Sequence, residues 1–168
     1  MAPRQWDTRR ALLGGVAAGL FAGFVTWLIG LITHVARGQD VWLGMKGAAI
    51  PFLGERATQP GFDGPAVILG LLCHFGISAI WGALFGILAY GLGRGATLVL
   101  GAGWGLVVWL VMLYIVLPAV GMGEAARSTP MGWAILEHVI FGLSVAIGFL
   151  PYQRPIRRGR VAPRWQPR

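Results

Sequence analysis

Charge is scarce in this chain. Only 12% of its 168 residues are charged, whereas a soluble domain carries about 25%. Acidic side chains are scarcer still, six against fourteen Lys and Arg. With roughly 100 residues placeable in lipid-spanning segments, no chain is left for a separate soluble domain. The single cysteine, Cys73, excludes a disulfide framework. Soluble-type catalysis is excluded by what is missing around its candidate nucleophiles. Ser78 and Ser144 have no nearby His–acid pair. Cys73 and His74 are neighbours, and adjacent residues diverge on a helix. The glycines at 91–97 lack the Lys-Ser/Thr ending of a phosphate loop. The chain reads as non-enzymatic.

Long apolar runs and glycine take the place of charge. Hydrophobic residues make up 56% of the chain, and 27 residues are Gly. The stretch from Leu71 to Tyr90, LLCHFGISAIWGALFGILAY, would span about 30 Å as a helix, the thickness of a bilayer's hydrocarbon core. Steps of four along it give Gly70, His74, Ser78, Gly82, Gly86 and Tyr90. Small residues on one face let two backbones approach closely in lipid. This pattern predicts an all-α membrane bundle of four spans at about 11–35, 65–91, 96–120 and 131–152, with a basic Arg/Pro-rich tail at 153–168. The first span carries two small-residue rows, Gly15–Gly19–Gly23 and Gly14–Ala18–Ala22–Thr26–Gly30–His34. The third carries Gly101–Gly105–Trp109 with Pro118 near its end, and the fourth His138–Gly142–Ala146. At more than twenty apolar residues, the first span is too long for a signal core and reads as an uncleaved signal anchor.

The net charge of +8 does not point to nucleic acid, because the arginines flank hydrophobic spans. There they set topology and bind anionic lipid. Ten fall on one side: Arg4, Arg9 and Arg10, Arg94 in the second turn, and six in the tail. The other side has Arg37, Lys46, Arg56 and Arg127, offset by Asp40, Glu55, Asp63 and Glu124. Both termini are therefore expected in the cytoplasm of a prokaryotic inner membrane. Trp6 and Trp165 would mark the inner interface, Trp42 and Trp133 the outer one. On the outer side lies the one long connection, 36–64. Its apolar stretch starts at a capping Asp40 and is broken by Pro51. Too short to span, it lies in the interface or dips inward to line a pathway. The tail's arginines would lie on anionic lipid or pair with an acidic surface of a partner subunit.

A repeat is legible. Gly19-x3-Gly23-x3-Trp27 matches Gly101-x3-Gly105-x3-Trp109, and His74-x3-Ser78-x3-Gly82 is echoed by His138-x3-Gly142-x3-Ala146. Two spans per unit would give parallel repeats related by an axis along the membrane normal.

Ionisable residues inside spans are functional candidates by default. Here they are His34, His74, Glu137 and His138, all expected in the outer half. Three chemistries suit them. Each His can donate to a neighbouring helix's backbone or to Ser78 and fix the packing. His74 and His138 can be axial ligands of a b-type haem. The cluster can also handle a proton, metal or small solute, with Glu137 as the carboxylate. No cofactor is expected under the first. The more numerous small-residue faces point instead to an accessory subunit packed against other membrane proteins, with solute handling the alternative.

Three phrases carry a resemblance: HFGISAIWGALFG at 74–86, GWGLVVWLVMLYIVLPAVGMG at 103–123 and EHVIFGLSVAIGF at 137–149. They resemble small prokaryotic four-helix membrane proteins of the YagU-like superfamily, over about residues 12–152. The resemblance implies fold and location and supplies no activity.

Overall fold

The computed structural model describes residues 7–128 and 130–153. Trp6, Trp165 and the tail from Arg154 onward, on which the lipid or partner contact was placed, lie outside the described residues.

Among the described residues, four helices are long and apolar enough to cross a membrane: Thr8–Ala36, Gly64–Ala89, Arg94–Ala119 and Met131–Tyr152. The all-α expectation holds, and each span sits within a few residues of its expected place. Local chemistry sets their ends. In α1 (Thr8–Ala36) the Asp7 carboxylate accepts from the Arg10 N–H at 2.9 Å, and the chain leaves through Gly38 at φ 64°. Asp63 caps α5 (Gly64–Ala89), whose first turn holds Pro65. The third span opens as α6 (Arg94–Val111), widens into a π turn at Met112–Val116 and closes as α7 (Leu117–Ala119). Pro118 explains the widening, because a proline in a helix interior cannot donate and its ring crowds the carbonyl four residues back. The helix answers with an i→i+5 bond from the Leu117 N–H to the Met112 carbonyl. The short α8 (Gly123–Ser128) precedes α9 (Met131–Phe149), which ends in a tight turn at Leu150–Tyr152.

Between α1 and α5 lie α2 (Val41–Lys46), a tight turn at Gly47–Ala49, α3 (Ile50–Leu53) and α4 (Glu55–Thr58). Asp40 caps α2 at the Trp42 N–H, 2.9 Å away, and also accepts from the Gly61 N–H. Those two amides hold its carboxyl below the usual carboxylate range. Arg56 grips Asp63 with two bonds of 2.7 and 3.0 Å, which depresses the Asp63 carboxyl in the same way. Lys46, counted among the outer-side charges, is 1% exposed. Its ammonium donates to the carbonyls of Gln59 and Gly61, so the charge folds the connection onto itself and leaves the surface.

The spans assemble through glycine seams. In the first, between α1 and α5, a Cβ on Gly19 would meet the Ser78 carbonyl and sit 2.9 Å from Gly82 Cα. One on Gly86 would meet the Ala11 carbonyl and Gly15 Cα. In the second, between α6 and α9, a Cβ on Gly101 would lie 2.7 Å from the Gly142 carbonyl and 2.5 Å from Ala146 Cβ. One on Gly105 would meet the His138 carbonyl. Backbone touches backbone in both, which gives dense dispersion contact that lipid cannot match. Gly19 meets Ser78 and Gly82 as Gly101 meets Gly142 and Ala146, so the two repeat units of the sequence are two hairpins with the same seam register. Gly70 packs on a helix as expected, though on a short one. Its neighbours are Met45 and Lys46 of α2, so that end of the row receives the connection in place of another span.

The hairpins dock unequally. α1 packs closely on α9, where Gly14 lies against Tyr152, Gly148 lies against Ala18, and Ala11, Ala18 and Ala22 are buried. Its counterpart, α5 against α6, is slight. Trp81 and Trp104 stand edge-to-face there at 5.7 Å and hold the two helices apart. Phe85, Phe149 and Tyr152 continue this aromatic layer toward the termini. Outward faces carry bare apolar side chains such as Leu72 and Val99, 66% and 75% exposed, as a lipid-facing surface requires.

At the terminal end, Arg10 donates to the Tyr152 carbonyl at 3.1 Å. The Gln153 amide reaches Ala89 O at 2.9 Å and Thr97 Oγ1 at 2.7 Å, and its oxygen accepts from the Gly91 N–H at 3.0 Å. The start of α1, the α5–α6 turn and the end of α9 therefore meet on one side.

Candidate functional site

Above the aromatic layer, toward the 36–64 connection, the separation of α5 from α6 leaves a cavity of about 320 Å³. That volume suits a small organic molecule. His34, His74, Glu137 and His138 all line it, so four residues spread over 105 positions reach one space. The connection roofs it with Val41, Gly44, Met45 and Ala48. Gly44 is small for a reason: a Cβ there would lie 3.0 to 3.3 Å from the His34 ring.

Each histidine has one ring nitrogen engaged. His74 Nε2 donates to Gly23 O across the first seam, 2.9 Å away. His34 Nδ1 and His138 Nδ1 donate to carbonyls of their own helices, Gly30 O at 2.9 Å and Ala134 O at 2.7 Å. Since a carbonyl only accepts, these bonds put a proton on the bonded nitrogen. The expectation that each His would bind a neighbouring helix or Ser78 holds for His74 alone. Ser78 donates to His74 O at 2.7 Å, so its hydroxyl is not aimed at an imidazole.

Glu137 lies within reach of the Trp133 indole and near Arg37. The Arg37 guanidinium stands 5.6 Å over the Trp133 ring, which ties α1 to α9 at the rim of the site. Among the described residues, no three of His, Cys, Asp and Glu come close enough to hold a metal ion. A b-type haem on His74 and His138 fits poorly as well, because His74 Nε2 is already bonded to Gly23.

Two wall residues were not among the sequence candidates. Trp27 and Trp81 line the cavity, and their indole N–H groups, like those of Trp104 and Trp109 outside its lining, are buried without a hydrogen-bond partner. Trp27 was visible as the last position of the first repeat motif. Trp81 carried no signal beyond its place in a span, since only the fold shows that it props two helices apart.

No family model matches the chain, and no curated protein or solved structure is significantly similar to it. Function must be argued from the cavity.

Proposed function

We propose that this chain is a non-enzymatic membrane protein that binds a small solute inside the bundle, at the end roofed by the connection. The observation that carries this reading is that His34, His74, Glu137 and His138 line one cavity. Such a set inside a lipid-embedded bundle is costly to keep without an occupant. Binding is favoured over conduction, because Trp81, Trp104, Phe85 and Phe149 fill the bundle between the cavity and the termini. The accessory-subunit reading rested on spare small-residue faces. Much of both α1 rows is taken up internally, Gly15, Gly19 and Gly23 by α5 and Gly14 and Ala18 by Tyr152 and Gly148, so the cavity carries the present reading. Membership of the YagU-like superfamily is proposed on the three sequence phrases alone.

Gly30 allows a direct test. It lines the cavity, and a Cβ there would meet nothing within 4 Å. Gly30→Leu should fill the space without disturbing a seam. Native mass spectrometry of gently purified protein should detect a small non-covalent adduct that Gly30→Leu lacks while remaining folded. An adduct carried equally by both, or by neither, defeats the proposal.

For orientation, we propose the terminal end as cytoplasmic in a prokaryotic inner membrane, because Arg9, Arg10 and Arg94 gather there and lysines and arginines are retained inside. A reporter fused after Arg168 should read cytoplasmic, and one inserted at residue 60 external. An external reading at Arg168 would reverse the assignment.

A further inference from the structure

Hydrogen-bond donors on the cavity wall are already spent. The Thr26 hydroxyl is engaged by the Ala22 and Gly23 carbonyls at 3.1 and 3.2 Å, and the Ser78 hydroxyl donates to His74 O. His34, His74 and His138 each donate one ring N–H to a backbone carbonyl, and a neutral imidazole has no second. The indole N–H groups of Trp27 and Trp81 are buried, so these two residues offer the cavity ring carbon. Among the described residues, no Lys or Arg belongs to the lining. On such a wall an anion is poorly met.

Acceptors remain, and Glu137 leads them. Among the described residues it is the sole Asp or Glu on the lining and has no ion-pair partner. The Trp133 indole takes one of its acceptor sites, and a carboxylate offers about four. Arg37 stands near but outside the lining, stacked on Trp133. Trp27, Trp81 and Phe141 add aromatic wall, and aromatic rings attract cations. A metal ion lacks a ligand set, because no three of His, Cys, Asp and Glu converge among the described residues. One carboxylate matches one positive charge, and Leu31, Met45, Ile77, Val108 and Met112 supply apolar surface around it. Resting on the solute-binding reading, we infer that the cavity takes a singly charged organic ammonium with an apolar body, held by the Glu137 carboxylate.

Three probes of nearly equal size test this: 2-naphthylmethylamine, 2-ethylnaphthalene and 2-naphthoate. Equilibrium dialysis of the full chain in an uncharged detergent reads their retention, with Gly30→Leu protein as the blank for micelle partition. The pH is about 8, where a reference alkylammonium is charged and a reference imidazole is not. The amine should bind about tenfold or more tightly than 2-ethylnaphthalene, because hydrogen bonds between charged groups are the strong ones. Glu137→Gln keeps the shape and an acceptor for Trp133. It should abolish that preference and leave 2-ethylnaphthalene retention unchanged, whereas Arg37→Gln should preserve the preference. If Glu137→Gln fails to fold, the ranking in the native chain and in Arg37→Gln still decides. Equal retention of the amine and 2-ethylnaphthalene, or a preference for 2-naphthoate, overturns the ammonium class and leaves solute binding standing. A preference seen only in Arg37→Gln overturns it too, because Arg37 is then the counter-ion. An amine preference kept in Glu137→Gln removes the carboxylate from the inference and so defeats it. No probe held above the blank overturns the inference alone, since the native-mass adduct decides the solute-binding reading separately.

Discussion

Gly82→Ala should separate α1 from α5. The added methyl would meet the Gly15 carbonyl and lie 2.6 Å from Gly19 N. These are backbone atoms that cannot rotate away as a side chain would. Overpacking costs about 1–3 kcal/mol where side chains can adjust, so a rigid seam should lose about 3 kcal/mol or more. For a chain of this size that corresponds to a fall of roughly 10 °C in the melting midpoint. The control is Gly103→Ala on the lipid side, where a Cβ would meet nothing within 4 Å. That change should be neutral or slightly stabilising, since Ala outranks Gly in a helix by about 1 kcal/mol. Gly142→Ala should behave like Gly82→Ala, because its methyl would meet Gly101 O and lie 2.5 Å from Gly105 N. Thermal unfolding of the three variants in one detergent decides the matter. If Gly82→Ala and Gly103→Ala melt together, the seams do not hold the bundle.

Gln153→Leu should loosen the terminal ends of three spans at once. Its amide joins the end of α9 to Ala89 of α5, Gly91 in the turn and Thr97 of α6. α5 and α6 otherwise have little hold on each other there, so this one side chain does much of the joining. Three hydrogen bonds of about 1 kcal/mol each, with their partners left unmet, predict a loss of about 2–3 kcal/mol. Gln153→Glu separates the contributions. It keeps an acceptor for the Gly91 N–H and loses the donor that faces the Ala89 carbonyl, so it should be nearly as damaging as Leu. Hydrogen exchange at the 90–97 amides should accelerate in both variants. Unchanged exchange in Gln153→Leu would show that the turn is held by other contacts.

Much of the architecture was legible in the residues. Span number and limits follow from bilayer thickness, which any apolar run of twenty or more residues reports without knowledge of its neighbours. An even number of spans returns the termini to one side, as the meeting of Arg10 with Tyr152 displays. The seam residues Gly15, Gly19, Gly23, Gly82, Gly86, Gly101, Gly105 and Gly142 were legible because four-residue spacing is a local property of a helix face. The four ionisable candidates were legible because charge inside an apolar run stands out.

Only tertiary structure decided which faces meet and what remains between them. Spacing marks Gly70 as a packing position, yet whether α2 or a span covers it depends on how the 36–64 connection folds back. A lysine in a loop reads as surface charge until Gln59 and Gly61 turn their carbonyls toward it. Two hairpins related by an axis along the membrane normal would dock alike if their facing side chains were alike. Bulk breaks the equivalence, because two indoles at α5–α6 demand a distance that the glycines and alanines at α1–α9 do not. The cavity is the remainder of that mismatch. Its existence is a relation between residues far apart in sequence, and no local period along the chain encodes it.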